Sequence, residues 1–556
     1  MAVGNVTGLS SGIDWSETVK SIMEIERRPL DLIELRRTTQ QSQITNWSAI
    51  EAKVKALQDQ AQELDSVGEF LKKSGSSSDN AVLTVTADAT AEAGTHTVIV
   101  NQLAANAVHA HQTGWADPNS TAVNTSGGNL SFSYDYAGTT VTVVVPDGTT
   151  LQGLVNLINR DVNNAGVSAS IINDGAGGGS DYHLVITGND TGAGNGVTII
   201  DTVGNPTDIG PTGAEFDEAS WDITQAAQNA QIRVDGIPDA GWAFSWIESA
   251  SNDVQDVIPG VTLHLLDDSA GNPIEIDISL DKGAIADNVS SLITAFNGVI
   301  DLINSTTRYN PEEKTAGPLA GDALARSLRN DLMSIIAENI PGTDSSDVYR
   351  RLGQVGLKLT SGGKLTLDST ALDDALDDDA TAVARLFAFD SVSASSFITA
   401  SGHSDNTQGG SYAFTVTYDA AGNIDPSGTN TIGGYNAIVH GDALLGGATG
   451  AGVEGLLLAF SNPGDGPNSL SGTVKVYTGF ATLLYNKIQD LTDATDGIFK
   501  INRERLNDSI DLLDKQISSW ETRLSQIEAN YTRKFSAMET LISQLKTQSS
   551  FLTAAT

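Results

Sequence analysis

The 556-residue sequence has no cysteine. That excludes disulfides, thiolate nucleophiles, zinc–cysteine sites and iron–sulfur clusters, and nothing in the chain calls for an oxidising compartment. Aromatic residues are scarce at 6%, and 14 prolines stand against 55 glycines. This balance argues against a proline-rich linker protein and for strand-rich modules with many tight turns. Basic residues are outnumbered 31 to 69, which leaves a net charge of −38. No apolar run approaches the roughly 18–20 residues that span a bilayer, so no membrane insertion is expected. The N-terminus lacks a basic stretch followed by an apolar core, so no conventional secretory signal is expected either. The default expectation is a cytoplasmic chain, unless it leaves by a route that reads mobile N-termini.

The negative charge is concentrated in the middle. Residues 1–75 carry 9 basic and 11 acidic side chains, and residues 491–556 carry 8 and 9. The interval 76–490 holds the remaining 14 basic and 49 acidic residues. Such a polyanionic middle repels phosphate, so neither nucleic acid nor an anionic membrane is an expected partner. It reads as a solubility shell, with a calcium-rich acidic surface as the alternative.

What the chain does have is helical periodicity at both ends. Leu506, Ile510, Leu513, Ile517, Trp520, Leu524, Ile527 and Tyr531 alternate spacings of four and three, followed by Phe535, Met538, Ile542 and Leu545. Two successive fours between Ile527 and Phe535 mark a stutter in this coiled-coil seam. No proline or glycine interrupts Lys500 to Thr556, so one or two long helices are expected, and their apolar stripe needs a partner. Trp47, Ile50, Val54, Leu57, Ala61 and Leu64 supply a matching stripe near the other end, and Val19, Ile22, Leu32 and Leu35 a shorter one. Asp14 with Glu17 predicts a capped helix start near Trp15, and Pro29 predicts a break or restart.

Between the ends the texture changes. AVLTVTA, GTHTVIVNQL, NLSFSYDY, TTVTVVVP, YHLVITG, NGVTII, AQIRVDG, GVTLHLL and IEIDISL, all within 76–280, alternate apolar and polar residues and read as antiparallel strands. One helix is expected at TTLQGLVNLINRDVNNAG. Residues 283–390 read as mostly helical, and 391–480 return to strand texture. The fold class expected is α+β and multidomain, with domains inserted within domains and the chain ends packed together.

Motifs for chemistry are weak. GLSSG at 8–12 matches the G-x-S-x-G nucleophile elbow with Ser10 as nucleophile, but that elbow needs a preceding strand and downstream acid and histidine partners. None of the histidines (His96, His109, His111, His183, His264, His403, His440) has a catalytic context. GAGVEG at 450–455 spells G-x-G-x-x-G without the helix a dinucleotide site requires. DDALDDDAT at 373–381 lacks calcium-loop spacing and reads as a solvated helix face, and DAAGNIDPSG at 419–428 reads as a turn. No catalytic residue, cofactor or metal site is expected.

The terminal segments carry a resemblance. GLSSGIDWSETVKSIMEIERRPLDLIELRR is similar to the opening signature of the flagellar hook-associated protein 2 family, the filament cap. GTHTVIVNQLA resembles that family's strand with His96 where an aromatic is usual, and residues 147–199 resemble the hook-type insertion motif of flagellar axial proteins. AQIRVDGI, DVIPGVTLHLL, GPLAGDALARSL, VGLKLTSGGKLTLD, ARLFAF and the closing RKFSAMETLISQLKTQSSFLTA follow in colinear order. Residues 391–470 depart from the pattern.

The resemblance implies a non-enzymatic protein exported without a Sec signal through the flagellar type III apparatus. It would assemble as a ring-like homo-oligomer at the distal, extracellular tip of the filament, where it helps flagellin fold and polymerise and prevents its loss. The implied partners are other copies of itself, flagellin, the hook–filament junction protein, a dedicated export chaperone and the export apparatus. The implied domains are leg helices at 1–45 pairing with a coiled-coil leg at 520–556, a stem helix at 46–75, and β-rich head domains at 76–280 with the insertion motif at about 134–200. A mostly helical stem at 281–390, a β-rich insertion at 391–480 and stem helices at 481–519 complete the chain. The seam within the chain is assigned to Trp47, Ile50, Val54, Leu57, Leu64, Leu506, Ile510, Leu513, Ile517, Trp520, Leu524 and Ile527. The filament or oligomer interface is assigned to Ile13, Trp15, Val19, Ile22, Leu32, Leu35, Phe535, Met538, Leu541, Ile542, Leu545 and Phe551. A surface adhesin or glycan-binding protein using the β-rich domains is the alternative.

Overall fold

The computed structural model describes residues 12, 14–200, 216–239, 241–393, 395, 397–419, 421–461 and 469–555, with the backbone alone at 552–555. It mixes helices with several antiparallel sheets, in two compact units: residues 1–70 with 282–556, and residues 71–281.

In the first unit, a helix from Trp15 to Gln62 opens the described chain. Asp14 caps it, accepting from the backbone N–H of Ser16 at 3.0 Å and Glu17 at 3.2 Å, so two of the N–H groups orphaned at a helix start are satisfied. The expected break at Pro29 does not occur, because the helix runs through it without interruption. Pro29 faces solvent, where water can take the freed carbonyl, while the next residue, Leu30, is buried and pins the helix. A single helix from Ile498 to Ala555 closes the chain.

These two long helices are antiparallel neighbours. Trp15 stacks on Phe535 with ring centroids 4.8 Å apart, Arg37 pairs with Asp514, Glu51 pairs with Arg503 at 2.9 Å, and Trp47 meets Phe499 edge-on at 5.8 Å. As numbers rise on one helix they fall on the other. At the inner end a bundle surrounds the pair, for the first helix also packs on helices Lys282–Thr307 and Phe480–Thr492. There Ile50, Val54, Leu57 and Leu64 are wholly buried, as are Val289, Leu292, Phe296 and Val299 of Lys282–Thr307.

The same unit carries an eight-stranded antiparallel sheet between residues 389 and 478, with Phe414, Val416, Ile432, Leu444, Leu458, Val474 and Val476 in its core. Lys475 ties this sheet to the preceding loop, donating to Asp344 at 2.8 Å and Asp347 at 2.7 Å. Its ammonium, aided by the Ser346 hydroxyl, holds the Asp344 carboxyl well below the usual range. The acidic run at 373–381 lies in helix Ser369–Phe387, with Asp373, Asp374, Asp377 and Asp378 exposed on its solvated face and Ala375 and Leu376 buried. Asp379 leaves helical geometry and caps the second half, accepting from Ala382 N–H at 2.8 Å.

The second unit is built on antiparallel strands around two cores. One contains Leu83, Val98, Val100, Ile232, Leu263 and Ile276. The other contains Phe132, Tyr134, Val141, Val143, Leu184 and Ile186, with the helix Leu151–Arg160 laid across it. Thr150 caps that helix by accepting from Gly153 N–H at 3.1 Å, and Leu151, Leu154, Val155 and Ile158 form its buried face. All nine runs of alternating residues are strands in antiparallel pairs. Period-two burial specifies such pairing strongly, because a slip of one residue would turn every core side chain outward.

Candidate functional site

Among the described residues, no group of three or more acidic or histidine side chains is placed to hold a metal ion. The carboxylates of Asp419 and Asp425 accept backbone N–H groups of their own turns, from Ala421, Asn423 and Ser427. His111 lies inside an aromatic cluster with Trp115, Phe216 and Trp221, and burial lowers the pKa of His109. Gly450 to Gly455 leads into strand Leu457–Phe460, not a helix. Ser10 lies outside the described residues.

The feature that stands out is a gradient along the paired terminal helices. At the inner end Leu506, Ile510 and Leu513 face the first helix and are buried. Ile517, Trp520 and Ile527 are half-buried, Leu524 is buried, and the Arg523 guanidinium covers the Trp520 ring at 4.9 Å. Toward the outer end the stripe opens, with Tyr531, Phe535 and Ile542 half-buried. Met538 is 39% exposed, Leu545 55%, Leu541 59% and Phe551 79%. Met538, Leu541 and Leu545 are spaced three and four and so share one helical face.

The pair is fastened at this end by Trp15, whose indole N–H donates to Glu539 Oε1 at 2.6 Å while its ring stacks on Phe535. Trp15 and Val19 are therefore buried between the helices. Ile22 is half-buried, and Ile13 lies outside the described residues. Leu32 and Leu35, in contrast, are 59% and 63% exposed, because Leu30 and Ile33 occupy the inward positions of that turn. Ile25, at 62% exposed and seven residues before Leu32, extends the same outward stripe. The sequence reading missed it, although its spacing from Leu32 carried the signal. Leu512 and Ile501 of the last helix, 57% and 51% exposed, were also missed.

Past Phe535 the last helix continues through Ala555, a further 30 Å or so at about 1.5 Å per residue. Arg37 and Asp514 form an ion pair part-way along, which raises the guanidinium pKa further. Both groups are more than 40% exposed, so the bond orients the helices and adds little stability. Among the described residues, the arrangement gathers no metal-binding cluster. What it offers is an amphipathic helical surface, closed at one end and open at the other.

Comparison with known proteins decides the family. The model for the flagellar hook-associated protein 2 C-terminus matches residues 227–547, more than half of the chain. The chain belongs to the flagellar hook-associated protein 2 family. The N-terminus model of that family matches residues 11–107, and the flagellin hook IN motif matches residues 129–190. The chain is 30% identical over 404 residues to the A-type flagellar hook-associated protein 2 of Pseudomonas aeruginosa, covering 69% of this chain and 80% of that one. It is 29% identical over 401 residues to the flagellar hook-associated protein 2 of Escherichia coli K12, covering 70% and 81%. A crystal structure of the flagellar cap protein FliD D1-D2-D3 domains from Escherichia coli aligns with TM-score 0.48 and 28% identity, covering 61% of this chain and 89% of that chain. This is a structural family of the flagellum, not an enzyme family, which disposes of the Ser10 hydrolase reading. The comparisons lend the adhesin alternative no support.

Proposed function

We propose that this family member is a subunit of the flagellar filament cap, an oligomer at the distal tip that promotes flagellin folding and addition and prevents loss of monomers. The observation that carries the reading is the opening of a single apolar stripe along the terminal helices, from buried Leu513 to 55% exposed Leu545, in a chain of this family. A surface of that kind buries its apolar face in a partner helix bundle, and flagellin's own terminal helices are the partner proposed.

In this reading the terminal helices act as legs. Leu32, Leu35, Met538, Leu541, Leu545 and Phe551 meet the filament or neighbouring subunits. Trp15, Val19 and Phe535 instead hold the two helices together, and Ile22 and Ile542 sit between the roles. The chain reaches the tip by type III export with a chaperone, and it also meets the hook–filament junction protein. Deleting residues 536–556 tests the proposal. Filament growth should stop and unpolymerised flagellin should accumulate in the medium, whereas normal filaments from such a strain would refute it.

A further inference from the structure

We infer that strand Thr139–Val145 is a self-association edge, pairing antiparallel with the same strand of a second copy of this chain. The strand lies at the edge of a three-stranded sheet in the order 139–145, 130–136, 197–199. Its inner side pairs with Leu130–Tyr136 over seven consecutive residues without a bulge. Among the described residues, nothing pairs with its outer side.

Natural sheets blunt such edges with charge, proline, bulges or brevity, and TTVTVVV has none of these. Its seven residues are all β-branched, and no charge falls between Asp135 and Asp147. The unit around it, residues 71–281, has 4 basic and 26 acidic residues, so two copies repel each other almost everywhere else. This neutral run is where a second copy can approach.

The backbone fixes the register. On strand 130–136, Ser133 O accepts from Ile200 N–H and Ala137 N–H donates to Gly196 O, so its odd-numbered residues bond toward 197–199. Its even-numbered residues Phe132, Tyr134 and Tyr136 therefore bond to Val143, Val141 and Thr139. That leaves the N–H and C=O groups of Thr140, Thr142 and Val144 directed outward. A two-fold axis through Thr142 matches Thr142 with its own copy and Thr140 with Val144 of the second chain, and every outward donor meets an acceptor. The exposed side chains Thr140, Thr142 and Val144 then share one face, while Val141 and Val143 continue the buried face. Asp135 and Asp147 flank the seam without facing their own copies. Because the contact is two-fold it cannot recur around a closed head-to-tail ring of more than two subunits, so it joins chains of separate assemblies. Seven residues bury less than a standard interface, so the association is weak and concentration-dependent.

The absence of native cysteine makes the test clean, since the full chain carrying Thr142→Cys has a single thiol. Paired Cα atoms in such a ladder lie about 5.5 Å apart, within disulfide reach. Under mild oxidation Thr142→Cys should form covalent dimer about tenfold or more faster than Val162→Cys, a control at a 96% exposed site. Thr140→Cys mixed with Val144→Cys should cross-link faster than either alone. Adding Thr142→Lys should abolish the concentration-dependent dimer in sedimentation while lowering the melting curve only slightly, through loss of the 2.9 Å hydrogen bond between the Thr142 and Ser133 hydroxyls. Equal rates at Thr142 and Val162 would overturn the inference. So would a chain that stays monomeric throughout while Thr142→Lys still impairs motility, because the edge would then be taken by a strand of another protein.

Discussion

The same two helices behave differently at their two ends, and the difference separates folding from function. Near Ile50, Val54 and Leu57 the pair is enclosed by neighbouring helices, and these side chains are wholly buried. Beyond Trp15 and Phe535 the last helix carries its apolar stripe on with most of it exposed. One periodic pattern thus specifies both a core and a surface, and what distinguishes them is how many elements surround each turn.

Substitutions at the two ends should break that equivalence most sharply. Ile50→Ala removes fully buried methyl groups inside the bundle and should cost about 3 kcal/mol in denaturant unfolding. Leu541→Ala, on the open face, should stay within about 0.5 kcal/mol. Equal losses would mean that the outer stripe is also core. Trp15→Ala tests the fastener between the regions. Losing the Phe535 stack and the Glu539 hydrogen bond should cost about 1–2 kcal/mol locally. The cost should appear as reduced amide protection around 524–540, with protection near 499–513 unchanged.

A smaller effect concerns the bundled end. Asp65, just past the first helix, has its pKa pushed up to about 6 by burial and by neighbouring Glu69. Its backbone carbonyl accepts from Phe389 N–H at 2.8 Å and from the Thr482 hydroxyl at 3.2 Å. A carboxyl with a raised folded pKa holds its proton more tightly in the folded state. Its contribution is therefore present at low pH and is lost as pH rises from about 4 through about 6. Asp65→Asn should remove that dependence and raise stability at pH 7 by on the order of 1 kcal/mol, allowing for partial exposure. A thermal melt series across pH 4–8 that is identical for both proteins would contradict this.

Much of this contrast could be read from the residues, because burial imposes period. Spacings of three and four marked both long helices, Asp14 marked the first one's start, and alternation marked the strands. Pro29 misled, since its effect depends on whether solvent or packing surrounds the freed carbonyl, and sequence does not show that. The outward stripe was only partly legible. Leu32 and Leu35 looked equivalent to Val19, yet Val19 is buried and they are exposed, because Leu30 and Ile33 outcompete them for the inward position. Pattern finds an apolar face, but only the neighbouring elements decide which part of it is covered.

The most direct test of the central claim is filament growth in a strain whose chain carries Leu541→Ser with Leu545→Ser. The account predicts an unchanged unfolding curve for the purified protein, with short filaments and flagellin released into the medium. Filaments of normal length, with the double variant as stable as the parent, would contradict it.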